Sequence, residues 1–415
     1  MIRQAVILCG GLGTRLGDLT AQTPKPLLPV GDAPFLDVLV EEAGRQGFDD
    51  VLLLAGHLSA QFEDFARTSA AARRRGVRLT ASIEPRPAGT GGAIGFAAAK
   101  LAEAFVLMNG DSWFDINLRA LVEEAARARE AVMTLALREM DDVSRYGSVS
   151  LKGGRIVGFH EKSGKSGGGL VNGGVYVCRK DALLSTIARL PQKPDGSLSL
   201  ETDVLPSLVD AGRAFGKAHK GYFIDIGIPD SYAAAQAEIP AHLSRPAVFF
   251  DRDGVLNTDF GHVGTIDRFQ WIDGAVAAIR ACNDRGYFAF VVTNQAGVAK
   301  GHYTEEQVSV LHAHMQEELA RAGAHIDDFR YCPYHVDATA PEYRKESSWR
   351  KPAPGMLTDV LDHWNVDVSR SFMIGDKESD MAAASAAGLT GHLFPGGNLS
   401  NYLESVPAFK SARSI

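Results

Sequence analysis

Short apolar runs recur along the chain, each followed by a stretch in which apolar residues return every third or fourth position. The runs predict strands at 4–9, 50–55, 79–84 and 105–109, and the intervening periodicity predicts helices at 34–46, 58–75 and 90–100. Strands alternating with helices imply right-handed crossovers and a largely parallel sheet, with ligands gathered at the carboxyl ends of the strands. From 131 to 177 the pattern turns strand-like and includes a strand at 169–178, before helical patterns return at 200–210 and 229–237. An α/β half followed by a mixed half is the expected first domain, over 1–238. The segment 239–246 carries Pro240 and Pro246, which interrupt any helix, and reads as a linker. A second alternation starts with a strand at 247–251 and continues through strands at 288–293 and 371–375, with helices at 273–286 and 304–323. It predicts a second α/β domain over 247–415.

A chain of 415 residues, 45% hydrophobic, is too long for one core and fits two soluble domains. A net charge of −7 offers no general attraction for a nucleic acid polymer, so phosphate binding is expected at local sites and on a small anionic substrate. No apolar run approaches the roughly 18 residues that would span a membrane. The N-terminus runs directly into a strand, without a signal-peptide pattern. Cys9, Cys178, Cys282 and Cys332 are far apart and form no CxxC pair, as expected of a reduced, cytoplasmic protein.

The first strand ends in Gly10-Gly11-Leu12-Gly13, where missing side chains let backbone N–H groups approach a triphosphate. Thr14 and Arg15 follow, and Lys25 stands between two prolines, so two cations are placed to neutralise charge on a transferring phosphate. Asp111 closes the fourth strand and Asp225 follows another apolar run, which makes them candidate Mg²⁺ ligands. The loop from Gly89 is expected to wrap base or ribose, and Glu161, Lys162 and Asn172 in the β-rich half to hydrogen-bond a sugar phosphate.

After the strand at 247–251 comes Asp251-Arg252-Asp253-Gly254. Two carboxylates at i and i+2 on a chain leaving a strand can share one Mg²⁺, with Asp251 attacking phosphorus and Asp253 protonating the leaving oxygen. Later acidic ligands of a calcium loop are missing from this spacing. Thr293 and Asn294 end a second strand as phosphate donors, Lys351 offsets phosphate charge, and Asp376 adds a metal carboxylate after a third. The intervals between these motifs hold the two core helices and no large cap domain. His312 and His314, two positions apart on a helix, diverge and make no metal pair.

In its motifs GGLGTRL, PKPLLPV, GTGGA, NGD, EK, NGG, SLETD and FIDIGIPDSY, the first domain resembles the sugar-phosphate nucleotidyltransferases, and within them the D-glycero-D-manno-heptose 1-phosphate guanylyltransferase branch. The resemblance implies a Rossmann-like domain with a mixed sheet, Arg15 and Lys25 as phosphate-stabilising catalytic groups, Gly10, Gly11, Gly13, Thr14 and Gly89 on the nucleotide, Asp111 and Asp225 on Mg²⁺, and Glu161, Lys162 and Asn172 on the sugar side. Through DRDGVLN, TNQAGVAKG, RKPAPGM and IGDKESD the second domain resembles the haloacid dehalogenase phosphatases, most closely the heptose 1,7-bisphosphate 7-phosphatases. This implies a parallel sheet without a large cap, Asp251 as nucleophile, Asp253 as general acid and base, and Thr293, Asn294 and Lys351 on the transferring phosphate. It further implies Arg350 on the second phosphate, Asp251, Asp253 and Asp376 around Mg²⁺, and Asp380 outside them. The sequence departs from that family at a zinc loop: Cys332 and His335 are present, but serines and a tryptophan at 347–349 replace the later cysteine pair, and two ligands close no tetrahedral site. No structural zinc is therefore expected.

Together the resemblances imply a bifunctional enzyme, a phosphomonoesterase acting through an aspartyl phosphate and a guanylyltransferase using GTP, with heptose phosphates as substrates. Rival readings keep the chemistry and change the substrate, to mannose 1-phosphate guanylylation or amino-sugar 1-phosphate uridylylation beside a histidinol-phosphate-like phosphatase. A scaffold that binds without turnover is opposed by the intact charged set.

Overall fold

The computed structural model describes residues 1–11, 13–143, 148–160, 167–191 and 193–410. It divides into two compact units, Ile2–Ala241 and His242–Ile415. The division falls in the last turn of a helix, Pro229–Leu243, which continues through Pro240 where a break was expected. Near a helix C-terminus a proline forfeits only one backbone donor, and the buried Ala235 and Ile239 anchor the turns before it.

Among the described residues, eighteen strands build the two units: β1 Gln4–Leu8, β2 Pro29–Val30, β3 Ala33–Pro34, β4 Asp50–Ala55, β5 Arg78–Ile83, β6 Ala104–Asn109, β7 Ser112–Phe114, β8 Met133–Met140, β9 Ser148–Lys152, β10 Arg155–His160, β11 Gly169–Arg179, β12 Ala214–His219, β13 Phe223–Asp225, β14 Ala247–Phe250, β15 Phe288–Asn294, β16 Asp328–Cys332, β17 Phe372–Gly375 and β18 Thr390–Leu393. In the first unit nine of them form a mixed sheet in the order β5-β4-β1-β6-β11-β8-β12-β10-β9. Its first four strands are parallel, and β11 pairs antiparallel with both β6 and β8. Ala5, Val6 and Ile7 are wholly buried, because helices cover both faces of this sheet, and such strands read as continuous apolar runs. The predicted helix 58–75 is two helices, Ser59–Thr68 and Ala70–Arg75. Ser69 breaks it: in extended conformation its hydroxyl accepts from the Ala72 N–H at 3.1 Å, capping the second helix, and donates to Asp37 at 2.6 Å.

The second unit has a five-stranded, wholly parallel sheet in the order β16-β15-β14-β17-β18. Alternate residues serve opposite cores. Val248, Phe250, Ala289 and Val291 pack with Ala278, Ile279, Met315 and Leu319. Ala247, Phe249, Phe290 and Val292 pack with Met356, Val360, Ala383 and Ala384 on the other face. Both sheets contain the same four-strand pattern, β5-β4-β1-β6 and β16-β15-β14-β17, in which the chain order reverses beside the first strand of the unit. A crevice opens at the carboxyl ends of strands on either side of such a reversal.

Candidate active sites

In the first unit the reversal lies between β1 and β6. The two strand ends approach so closely that a Cβ on Gly110 would stand 2.5 Å from the Leu8 carbonyl, so only glycine fits there. After β1 the chain turns through Gly10, Gly11 and Gly13, the last at φ +63°. These glycines, with Lys25, Gly89 and Asp111, line a cavity of about 240 Å³. Thr14 and Arg15 begin the exposed turn Thr14–Thr20 and stand outside that lining. Arg15 is close enough to act on the charge of Asp225.

Asp111 and Asp225 meet through a small antiparallel ladder. Asp225 at the end of β13 pairs with Ser112 of β7, and the Ile226 N–H donates to the Asp111 carbonyl at 2.9 Å. Lys25 Nζ sits 2.7 Å from Asp111 Oδ2. Burial, then repulsion from Asp111, raises Asp225 above the usual carboxylate range, against the pull of Lys25. Gly227 donates its N–H to Asp225 Oδ1 at 2.7 Å, and a Cβ there would press on both that oxygen and Lys25 Nζ. Two mutually repelling carboxylates at strand ends, beside a buried and unpartnered Asn109 Oδ1, are a donor set that fits Mg²⁺.

Sequence reasoning missed two carboxylates that also line this cavity, Glu84 and Glu201. Glu84 follows β5; its Oε2 accepts from the Ala88 N–H at 3.2 Å, and its Oε1 lies where a Cβ on Gly10 or Gly56 would clash. Burial raises its pKa. Glu201 Oε2 accepts from Thr90 Oγ1 at 3.0 Å, while Gly91 donates to the Leu198 carbonyl at 2.8 Å, so the Gly89 loop is tied to segment 198–201. A lone glutamate after a strand carries no local motif; only the neighbouring glycines reveal it. Asn172, on β11, is not in the cavity lining: its amide donates to Tyr176 Oη at 2.7 Å and its Oδ1 accepts from the Gly174 N–H at 3.1 Å. Glu161 and Lys162 lie outside the described residues.

In the second unit the reversal lies between β14 and β17, and Asp251 and Asp376 directly follow those strands. A cavity of about 570 Å³ opens there. Lys351 is buried with Nζ at 2.8 Å from Asp251 Oδ1, 2.7 Å from Asp380 Oδ1 and 2.8 Å from the Val292 carbonyl. Burial opposes its charge, yet the two carboxylates keep its pKa above the ordinary value. Asn294, expected on phosphate, exchanges hydrogen bonds with the Lys351 backbone in both directions, each at 3.0 Å. Its visible task is to place Lys351. Thr293 Oγ1, also in the cavity, accepts from Gln295 Nε2 at 2.8 Å.

Asp251, Asp376 and Asp380 offer oxygens within 4.8 Å of one another, the one such group among the described residues. Asp376 Oδ1 is buried without a partner, and burial together with Asp251 pushes Asp376 up to about 6. Converging oxygens of this kind fit Mg²⁺. Asp253, expected in this set, is not brought into it, and Asp380, expected outside it, is. Both Asp253 oxygens are engaged elsewhere: Oδ1 accepts from Asn257 Nδ2 at 2.9 Å, Oδ2 from Gln295 Nε2 at 2.9 Å, and both from Arg252 at 3.0 Å. Arg350 reaches the same cavity, half-buried, with one N–H toward the Tyr334 carbonyl at 3.4 Å.

The profile of the nucleotidyl transferase family matches residues 4–242 and that of HAD-hydrolase-like proteins matches residues 348–411. The chain belongs to the nucleotidyl transferase family, joined to a HAD-like phosphatase. The nucleotidyl transferase part is 37% identical over 241 residues to the D-glycero-alpha-D-manno-heptose 1-phosphate guanylyltransferase of Aneurinibacillus thermoaerophilus, covering 58% of this chain and 100% of that protein. It also matches the crystal structure of HddC from Yersinia pseudotuberculosis with a TM-score of 0.50 at 30% identity, over 57% of this chain and 100% of that one. The HAD-like part is 48% identical over 162 residues to the D-glycero-beta-D-manno-heptose-1,7-bisphosphate 7-phosphatase of Rhodopseudomonas palustris, covering 39% of this chain and 90% of that protein. Among the described residues of this nucleotidyl transferase no helix is long and apolar enough to cross a membrane.

Proposed function

We propose that the HAD-like unit hydrolyses the 7-phosphate of heptose 1,7-bisphosphate and that the nucleotidyl transferase unit joins the resulting heptose 1-phosphate to GMP from GTP, giving GDP-heptose and pyrophosphate. The observation that carries this reading is the pairing itself: one chain holds two phosphate sites, one with relatives named for removing the 7-phosphate of a D-glycero-D-manno-heptose 1,7-bisphosphate and the other with relatives named for guanylylating a D-glycero-D-manno-heptose 1-phosphate. Both steps belong to the cytoplasm, where GTP is supplied, and the four cysteines are free and buried, as suits a reducing compartment.

In the phosphatase, Asp251 attacks phosphorus while the bond to the sugar oxygen breaks, and Asp253 gives that oxygen its proton. Water then hydrolyses the aspartyl phosphate. Lys351 and Thr293 steady the transferring phosphate, Asn294 holds Lys351 in place, and Arg350 reaches for the phosphate on carbon 1. Mg²⁺ held by Asp251, Asp376 and Asp380 would offset the charge of the phosphate.

In the transferase, an oxygen of the sugar 1-phosphate attacks the α-phosphorus of GTP and pyrophosphate leaves. Gly10, Gly11, Gly13, Thr14 and Gly89 take the nucleotide, Lys25 and Arg15 offset charge on the reacting phosphates, and Mg²⁺ on Asp111 and Asp225 would draw the two anions together. Asn172, with Glu161 and Lys162, is assigned to the sugar side. Glu84 favours guanine: a carboxylate accepts two adjacent N–H donors, which guanine presents and uracil or thymine do not.

The two relatives are named for opposite anomers, beta for the phosphatase and alpha for the guanylyltransferase. Since the phosphatase leaves carbon 1 untouched, one chain running both steps needs a single anomer. Mass spectrometry after incubation with Mg²⁺, each anomer of heptose 1,7-bisphosphate and each nucleoside triphosphate tests the proposal. GDP-heptose from one anomer with GTP alone is expected. Phosphate release without any nucleotide sugar would refute the transferase assignment, and no phosphate release the phosphatase one.

A further inference from the structure

The phosphatase motif places an arginine between its two aspartates, and Arg252 is wholly buried. A buried guanidinium needs partners for its N–H groups. Arg252 Nε and one terminal nitrogen donate to Asp253, at 3.2 and 3.0 Å, and that same terminal nitrogen donates to the Val263 carbonyl. The other terminal nitrogen faces His312 Nε2 at 3.4 Å. Arginine accepts no hydrogen bond, so the contact requires an imidazole whose hydrogen is on Nδ1 and whose Nε2 accepts.

The surroundings of His312 keep its ring neutral, as that contact requires. Its ring stacks on Phe329 with centroids 4.4 Å apart and meets Tyr331 edge-on at 6.0 Å. Burial, then the charge of Arg252, pushes its pKa down to about 3. The helix Glu305–Arg321 that carries His312 is fastened at its N-terminus by a capping box between Thr304 and Gln307.

We propose that His312 is a positioning residue of the phosphatase: by accepting from Arg252 it fixes the guanidinium that aims the Asp253 carboxyl at the leaving oxygen. The inference rests on the reading of Asp253 as the general acid. In the step concerned the phosphorus–oxygen bond breaks, its electron pair stays on the sugar oxygen, and the Asp253 proton joins that oxygen. A misaimed Asp253 slows departure of an alkoxide. It leaves departure of p-nitrophenolate, which needs no proton, unaffected.

The test compares full-length wild type, His312→Phe, His312→Gln and Asp253→Asn on heptose 1,7-bisphosphate and on p-nitrophenyl phosphate. Phenylalanine keeps the ring stack and removes the acceptor; glutamine restores an acceptor. The expected result for His312→Phe is a fall in kcat on the sugar phosphate of roughly tenfold at unchanged KM, with the aryl phosphate rate retained and most of the loss recovered in His312→Gln. Equal loss on both substrates, or no loss on either, while Asp253→Asn still discriminates between them, overturns the role of His312. If Asp253→Asn itself fails to discriminate, the reading of Asp253 falls and the inference with it. The thermal unfolding transition of the HAD-like unit, compared with that of wild type, reports whether this unit is folded in each variant.

Discussion

Asp376 illustrates how neighbours set the charge of a single residue. Burial and the neighbouring Asp251 raise its pKa from the ordinary 3.8 to about 6. Between those values the folded chain keeps a proton that the unfolded chain has released, so this group makes folding less favourable as pH rises from about 4 to about 6. Mg²⁺ held on this carboxylate, as proposed, would compete with that proton. The gain in Tm on adding Mg²⁺ should therefore be small near pH 5 and reach its plateau above about pH 7, as followed by calorimetry. In Asp376→Asn the gain should be small throughout, and a gain independent of pH in the wild type would exclude this competition. Lys351 makes the complementary point, since it holds Asp251 and Asp380 together and its removal would leave two buried carboxylates facing one another.

Among the elements, the loop from Cys332 to Arg350 carries Arg350 into the cavity, and its donor set does not fit a zinc ion. Cys332 Sγ lies 4.0 Å from the Tyr334 carbonyl, His335 Nδ1 accepts from the Asp337 N–H at 3.1 Å, and Ser347 Oγ accepts from the Trp349 N–H at 3.2 Å. Instead, Glu305 at the start of the helix Glu305–Arg321 takes a phenol hydroxyl on each oxygen, from Tyr331 at 2.7 Å and from Tyr343 at 2.9 Å. Lys345 lies over the Tyr334 ring at 3.8 Å. Tyr343→Phe removes one hydrogen bond of this clasp, worth about 1 kcal/mol. It is expected to raise KM for the bisphosphate several-fold with little change in kcat, in a phosphate-release assay. Zinc chelation followed by restored Mg²⁺ should leave the wild-type rate unchanged; loss of activity would show that a metal, not the clasp, holds the loop.

For the whole molecule, each unit has its own cores, so each chemistry should survive damage to the other. Asp251→Asn should abolish phosphate release and keep guanylyl transfer to supplied heptose 1-phosphate, whereas Asp111→Asn should do the reverse. An equal mixture of the two variants should then form GDP-heptose from the bisphosphate after a lag, read by mass spectrometry. Failure of the mixture while each variant keeps its remaining activity would mean that the two steps require one chain.

The sequence alone determined the strands that lead into the sites, β1, β6, β14, β15 and β17, and the loops that follow them. Strands covered on both faces must be continuous apolar runs, and a phosphate site at a strand end must place glycines and charges next in the chain, so Gly10 to Lys25 and Asp251 to Asp253 were legible as local strings. The breaks at Ser69 and the continuation through Pro240 were not, because a cap and a buried face outweighed the local signal. Tertiary structure decided which side chains meet across loops. The β7–β13 ladder joins Asp225 to Asp111, the turn after β17 brings Asp380 rather than Asp253 to Asp251, and Asn294 finds the Lys351 backbone. Strand order and the β5 end put Glu84 beside Gly10. A motif specifies residues within one loop, whereas a partner in another loop depends on strand order and register, which are set by the packing of the whole sheet.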